Sequence, residues 1–558
     1  MKIAMLQCNS VPGDVAGNAA RIAQAVRQAR DAGASLCVTP ELALCGPSPR
    51  DLLTTAGFMD GCRRALRWLA AELADCPPVL VGAPMLNPQQ SARRVSNAAV
   101  LLERGTDSVI SRKVYQSQGG GPSDDSRYFD KGISCGIITV EGWRLGVVLC
   151  EDSWDNDGFW TIQHGTLHNP LMEMIRRGVD AVVQMTAGTF FVGGQAVREH
   201  TLSHVAARHH VHLFSVNAVG GNDGQVCHGQ SLAFDATGQL LARARAFEED
   251  VALVDTAPDA AVRSVAPACA CPEEECWRAL VLGTRDYVRK SGCSRAVVGL
   301  SGGMDSALVC AVAAEALGPD NVLGVRMPSV HTSQSSLDDA AALAENLGVK
   351  LLTVPITPAV DAFAGMLAPV LESCPAGPED TTFDNLQARA RGTLLMGIAN
   401  RTGALVLNTG NKSECAVGYC TLYGDGVGAV GVLADVPKTF AYRVAAWFNG
   451  QRGAALIPQA IFEKAPTAEL HPGQKDSDSL PPYDVLDTVV QRMLERGQST
   501  EPEDDGGEEC SLAAEVRDKM LRAEFKRRQL PVGIQISRTP FGSGWSIPAV
   551  SRWRMPEE

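Results

Sequence analysis

Residues 295–318 read RAVVGLSGGMDSALVCAVAAEALG. The apolar run 295-RAVVGL predicts a strand, and 304-MDSALVCAVAAEALG predicts a helix. Between them Gly302 and Gly303 let the backbone turn sharply, so that its N–H groups converge on an anion. The helix N-terminus adds its positive dipole end. Ser301 and Ser306 supply hydroxyl donors. Asp305 does not bind a phosphate directly, because two anions repel, but a carboxylate here makes sense with a divalent cation between them. The GK[ST] ending of a Walker A loop is absent.

The pattern extends on both sides of this turn. A helix is predicted at 277-WRALVLGTRDYVRKSG. After the turn come a strand at 322-VLGVRMP, a helix around 337-LDDAAALAENLG and a strand at 350-KLLTVPI. Strand–helix–strand repetition predicts a doubly wound parallel sheet. Gly426-Val427-Gly428-Ala429-Val430-Gly431 spells GxGxxG, but it follows no predicted strand and opens no clear helix, so it reads as a mobile loop. The acidic stretch 501-EPEDDGGEE reads as an exposed insertion.

Upstream, residues 257–275 are Pro/Ala-rich and then acidic, and they read as a linker. Cys269, Cys271 and Cys276 lack a fourth ligand at useful spacing and read as incidental. Residues 1–256 alternate apolar runs with amphipathic stretches. Strands are predicted at 2-KIAMLQ, 35-SLCVTP, 79-VLVGAP, 97-NAAVLL, 145-LGVVLC, 180-DAVVQM, 211-VHLFSVN and 251-VALVD. In 17-GNAARIAQAVRQARDAGA, Ala20, Ile22, Ala23, Val26 and Ala29 are expected to share one helix face. This predicts a layered α/β domain with chemistry at its strand ends, followed by a second α/β domain at 276–558. The two halves share no motif.

The chain of 558 residues suits two large domains. A formal net charge of -13 argues against nucleic acid or a membrane surface as partner, since both are polyanionic, and leaves small anions open. The start, MKIAMLQCNS, lacks the features of a signal peptide, and no apolar run reaches transmembrane length. A cytoplasmic protein with reduced thiols is expected. His209, His210 and His212 lie at the entry to a predicted strand, where surface or packing roles are expected rather than zinc.

The spelling SGGxDS resembles the signature of the ATP pyrophosphatases, the PP-loop family. The stretches 385-NLQARARGTLLMGIAN, 407-LNTGNKSECAVGYCTLYGDG, 435-DVPKTFAYRVA, 466-PTAEL, 474-QKDSDSLPPYDVLD and 526-KRRQ resemble NAD synthetases across residues 276–558. That resemblance implies that ATP adenylylates the nicotinate carboxylate of deamido-NAD and that ammonia displaces AMP. Ser301, Gly302, Gly303, Asp305 and Ser306 would hold the ATP phosphates and magnesium, and Thr409 would contact ATP. Asp305 and Glu414 would hold Mg2+. Asn385, Glu414 and Lys526 would lie against deamido-NAD. Arg389, Lys438 and Thr467 would serve pyrophosphate or substrate phosphates.

In 146-GVVLCEDSWD, Cys150 ends an apolar run. Free cysteines usually pack as small hydrophobes. Here Glu41 follows a strand in 40-PELALCG, and Lys113 sits in 112-RKVY. This set resembles the nitrilase superfamily, whose fold is an αββα sandwich and whose amidases use a Glu-Lys-Cys triad. The resemblance implies that Glu41 takes the thiol proton, while Lys113 lowers the thiolate pKa and steadies the oxyanion. Free ammonia is scarce at neutral pH, so the two halves together resemble the glutamine-dependent NAD synthetases. In these, ammonia passes from glutamine to the adenylate, which implies an enclosed passage and a homo-oligomer.

The amide pocket departs from that pattern. Pro47 stands where tyrosine is usual. Gly119 falls at a glutamine-contacting tyrosine, Gly188 at a serine and about Gly194 at a basic residue. Each lost hydrogen bond to a charged ligand costs roughly 1.5–3 kcal/mol. Three readings stay open: a rebuilt glutamine pocket with contacts from Arg198, Glu199, Asp124 and Asp125; a different amide; or a weak amidase beside a synthetase fed by external ammonia.

Overall fold

The structure is a computed structural model that describes residues 1–87, 95–116, 125–153, 169–257, 264–377, 380–496 and 508–551. Gly119, Asp124 and residues 501–507 of the acidic stretch lie outside the described residues. The chain divides into two compact units, Met1–Ala270 and Cys271–Glu558.

The first unit holds two six-stranded sheets. One runs, edge to edge, through Asp250–Asp255, Lys2–Gln7, Leu36–Val38, Val79–Leu86, Val95–Glu103 and Thr106–Arg112. The other runs through Leu240–Arg243, Leu232–Phe234, His212–Asn217, Ala181–Thr186, Trp143–Leu149 and Gly136–Val140. The two-residue side-chain period builds the layers. Ile3 and Met5 pack with Leu145, Val147, Val183 and Phe214 between the sheets. Ala4 and Leu6 face the other way, onto Ile22, Val26, Leu66 and Leu69 of helices Val15–Asp31 and Phe58–Glu72. On the far side Val148, Val182 and Leu213 pack against Met174, Leu202 and Val205 of helices Pro170–Arg176 and Gly194–His209. The result is an αββα sandwich whose central strands are buried on both faces, which is why they read as continuous apolar runs.

Helix Val15–Asp31 starts where the Asp14 carboxylate accepts the Gly17 N–H at 2.9 Å. Its buried face carries Ala19, Ile22, Ala23, Val26 and Ala29, while Ala20 is exposed. Ala19 stands three and four positions before Ile22 and Ala23, so it shares their stripe; Ala20 does not.

In the 257–275 stretch, the bridge between Arg243 and Val265 extends a sheet edge. A helix begins at Pro272, earlier than the spacing suggested, and runs to Lys290. Proline suits a first helical position, and Glu273, Glu274 and Glu275 oppose the positive helix end. The acidic run is therefore a first turn rather than linker.

The second unit carries a parallel six-stranded sheet in the order Lys350–Thr353, Val322–Arg326, Ala296–Gly299, Leu405–Asn408, Val430–Gly431, Val532–Gly533. Chain order reverses between Ala296–Gly299 and Leu405–Asn408. In open α/β sheets, ligands bind outside the carboxyl ends at such a reversal. Val430 and Gly431, read as the end of a loop, are a strand of this sheet. Among the described residues no helix is long and apolar enough to cross a membrane.

Candidate active sites

Cys150 follows strand Trp143–Leu149 and opens the short turn Cys150–Ser153. Its φ of 44° lies in the left-handed region, which side chains other than glycine rarely adopt. The turn is pinned from beneath. The Gln184 amide donates to the Cys150 carbonyl at 2.9 Å and to Ser153 Oγ at 2.6 Å. Thr186 Oγ1 donates to Cys150 Sγ at 3.3 Å.

Glu41 is buried in the turn after Leu36–Val38. Asn97 donates to its Oε1 at 2.7 Å, and the Ala187 N–H donates to its Oε2 at 3.2 Å. Lys113 directly follows strand Thr106–Arg112. Its Nζ lies 3.1 Å from Glu41, 2.6 Å from Asp125 and 2.7 Å from Glu151. Asp152 accepts the backbone N–H groups of Val114 and Tyr115, tying the lysine segment to the cysteine turn.

Burial pushes the Glu41 carboxyl up, with the Lys113 charge working against it. Burial disfavours the Lys113 cation, but Glu151 and Glu41 outweigh it and hold Lys113 well above its usual value. Burial, then Glu151 and Glu41, raise the Cys150 thiol well above its ordinary value; Lys113 acts in the opposite direction. Lys113 lowers the Cys150 thiol in the expected direction, but burial and then the carboxylates of Glu151 and Glu41 outweigh it. A thiol held up in this way needs a base nearby before it can attack.

Glu41, Lys113, Cys150, Glu151 and Asp125 line one cavity of about 350 Å³. Pro47, Gly188, Gly194 and Arg198 also line it.

In the second unit the phosphate turn follows Ala296–Gly299 and opens helix Met304–Leu317. Gly302 has φ 79°, and a Cβ there would come within 2.3 Å of the Ser336 carbonyl oxygen. Ser306 Oγ accepts the Ser301 N–H at 3.2 Å, and Ser301 Oγ accepts the Gly303 N–H at 3.2 Å. Glu414 closes a capping box with Asn411 on helix Lys412–Val417. Lys438 Nζ reaches Asp305 at 2.5 Å and Glu414 at 3.6 Å. Burial, then the Asp305 charge, push Glu414 up to about 8. A cavity of about 630 Å³ over these strand ends is lined by Ser301, Gly302, Gly303, Asp305, Ser306, Asn385, Thr409, Glu414, Lys438, Thr467 and Lys526.

Two family models divide the chain: Carbon-nitrogen hydrolase matches residues 2–263, and NAD synthase matches residues 276–530. A glutamine-dependent NAD(+) synthetase from Synechocystis sp. is 41% identical over 552 residues, which is 98% of each chain. The chain belongs to the glutamine-dependent NAD(+) synthetase family. The enzyme of that name from Thermotoga maritima is 36% identical over 100% of this chain and 99% of its own. The solved structure of the Acinetobacter baumannii glutamine-dependent NAD+ synthetase, in complex with adenosine diphosphate, matches with a TM-score of 0.75 at 32% identity. It covers 100% of this chain and 99% of that one.

For a glutamine-dependent NAD(+) synthetase, one residue expected at the nucleotide site is out of place. Arg389 is exposed, donates to the Leu422 carbonyl at 3.2 Å and does not line the cavity. On helix Thr382–Thr402 the cavity face carries Asn385, Ala388, Arg391, Gly392 and Leu395. Arg391, three positions after Ala388 and four before Leu395, sits in the middle of this face, and Arg389, two positions away, is turned about 160° from it. Arg391 is the arginine that faces the cavity. The Thr467 hydroxyl donates to the Gln474 carbonyl at 2.6 Å.

In the amidase half, Glu199 pairs with Arg243 at 2.6 Å and is absent from the cavity lining, while Asp125 is held by Lys113. The sequence reading missed Asn97, Thr186 and Glu151 in the first site and Lys464 and Asp476 in the second. Lys464 donates to Asp339 and, at 3.3 Å, to the Gly302 carbonyl. Glu151, adjacent to Cys150, was the one with a visible signal.

Proposed function

We propose that the first cavity hydrolyses glutamine and that the ammonia it releases amidates deamido-NAD in the second. Glu41 takes the proton of Cys150 as the sulfur attacks the amide carbon, and Lys113 faces the charge that develops on the carbonyl oxygen. The proton then passes to the departing nitrogen, the C–N bond breaks, ammonia leaves, and the acyl group stays on Cys150 as a thioester. Water, deprotonated by Glu41, cleaves the thioester to glutamate and restores the thiol.

In the second cavity the amides of the phosphate turn, with Ser301, Ser306 and Thr409, hold ATP. Asn385, Glu414 and Lys526 hold deamido-NAD. The nicotinate carboxylate attacks the α-phosphate, pyrophosphate leaves past Lys438, and ammonia displaces AMP to give NAD. Arg391 takes the place first expected for Arg389.

The residues present fit Mg2+. Asp305 Oδ1 is buried without a hydrogen-bond partner beside Glu414, and two carboxylates plus substrate phosphate oxygens make the usual Mg2+ set. When bound, the ion would neutralise phosphate charge near Asp305 and Glu414. The reading includes a cytoplasmic homo-oligomer, which sedimentation would test.

The observation that carries the proposal is the Glu41–Lys113 pair and Cys150 in one buried cavity. The glycines at 188 and 194 favour a second reading, a synthetase fed by external ammonia. NAD formation from deamido-NAD and Mg-ATP, with glutamine or ammonium as sole nitrogen source, separates them. Activity with both, and loss of only the glutamine reaction in Cys150→Ala, is the expected result. Activity with ammonium alone supports the second reading.

A further inference from the structure

Arg198 is a half-buried cation with no ion-pair partner among the described residues. It lines the amidase cavity from helix Gly194–His209. Its Nη1 donates to the Gln230 carbonyl at 3.2 Å and its Nη2 to Ser215 Oγ at 2.6 Å, both neutral acceptors. Among the described residues no carboxylate pairs with it. Glu199, next in sequence, is taken by Arg243, and the acids of the cavity converge on Lys113. Its remaining N–H groups make no other hydrogen bond among the described residues.

Such a group is costly unless something pairs with it. Buried charges are normally matched, and here Lys113 in the same cavity rests on several carboxylates. Burial pushes Arg198 down to about 10, against the pull of Cys150, Cys227 and Glu199, so it remains a cation at neutral pH. His228 provides no counter-charge. Burial and Arg198 hold it neutral, and its Nε2 lies 2.7 Å from Gln195 Oε1. The residues at 47, 188 and 194 bring no side-chain donor of their own. An amide substrate with a carboxylate at its far end supplies the missing charge.

We propose that Arg198 is the specificity residue of the amidase cavity and receives the α-carboxylate of glutamine in a charge-assisted pair. This deepens the glutamine reading above and rests on it. A guanidinium offers two parallel N–H groups to a carboxylate, which fixes orientation as well as affinity. It anchors the amino-acid head while the side-chain amide meets Cys150. A neutral amide of the same shape leaves Arg198 unpaired.

The test measures ammonia release by the full chain. In Arg198→Gln the KM for glutamine is expected to rise about 30-fold (about 2 kcal/mol) with kcat within about threefold of wild type. Arg198→Lys is expected to recover part of the loss. Wild type is expected to prefer glutamine over glutamine α-amide, whose head carries no carboxylate, by a similar factor, and Arg198→Gln to lose that preference.

An unchanged KM in Arg198→Gln overturns the proposal. So does a fall in kcat alone, which would mean that Arg198 acts through Ser215 and Gln184 on the turn at Cys150. Should the variants fail to fold, the wild-type comparison decides, and equal KM values for the two amides overturn it. Wild type that releases no ammonia from glutamine overturns the glutamine reading itself, a result distinct from glutamine turnover that ignores residue 198.

Discussion

Lys438 Nζ lies 2.5 Å from Asp305 Oδ2 and also within 3.6 Å of Glu414 Oε1. One ammonium thus joins the carboxylate of the phosphate turn to the carboxylate of the helix beyond the next strand. It is a cation that both half-buried acids share.

Removing it should separate binding from chemistry. Lys438→Met leaves Asp305 and Glu414 facing each other and takes a positive group from the phosphate path. Pyrophosphate release should fall by about 100-fold or more with glutamine and with ammonium alike. Ammonia release from glutamine, measured alone, should persist. A variant with normal pyrophosphate release would remove Lys438 from the site.

Gly302 is held by two constraints together, its φ of 79° and a Ser336 carbonyl oxygen only 2.3 Å from any added Cβ. Gly302→Ala should cost about 1–3 kcal/mol and abolish NAD formation from either nitrogen source. At Gly303 a Cβ meets only Ser301 Oγ, at 3.3 Å, and Gly303→Ala should be milder. Thermal melts of the pair give the contrast.

Gly188 has room for a side chain. An added Cβ would lie 3.6 Å from Thr186 Oγ1 and 3.7 Å from Asn217 Oδ1, ordinary contacts. Gly188→Ser puts a hydroxyl into the cavity and should lower the KM for glutamine by about 10-fold. Gly194→Lys should help less, since its Cβ would press on the Phe191 ring at 2.9 Å. A KM unmoved by Gly188→Ser would place glutamine elsewhere in the cavity.

Burial pushes the Asp152 carboxyl up from 3.8 to about 7, against hydrogen bonds from Tyr115 and Val114. Within that window the folded protein binds more protons than the unfolded chain, so stability falls as pH rises and levels off above about 7. Asp152→Asn keeps an oxygen for both backbone donors and cannot ionise. Urea denaturation at pH 5 and pH 8 should show a loss of about 2 kcal/mol in wild type that the variant lacks.

The sequence revealed the strands buried on both faces, such as Lys2–Gln7 and Ala181–Thr186, because each is an unbroken apolar run. Thr106–Arg112 and Gly136–Val140 were passed over. Each is a half-exposed edge strand, Thr106–Arg112 with a mostly polar sequence and Gly136–Val140 only five residues long. The phosphate turn was readable because its glycines and serines are contiguous. Lys113 meets Asp125 and Glu151 only after distant strand ends converge, and no spacing along the chain announces that. Arg389 and Arg391 differ by two positions on one helix, and spacing admits both, Arg389 beside Asn385 and Gly392 and Arg391 beside Ala388 and Leu395; only the folded cavity shows which of them faces it.

The cations around the nucleotide cavity are already engaged. Lys464 rests on Asp339, Lys438 on Asp305, and Lys526 on the carbonyls of Gly418 and Cys420 at 2.7 Å each. Substrate entry is therefore an exchange of partners rather than an addition of charge to an open basic surface. Its dependence on ionic strength should be shallow, since short contacts at a sheltered site are little screened. A lysine that turns to a phosphate must give up the contact it holds here, so each of these cations is a link between the cavity and the segment it ties down.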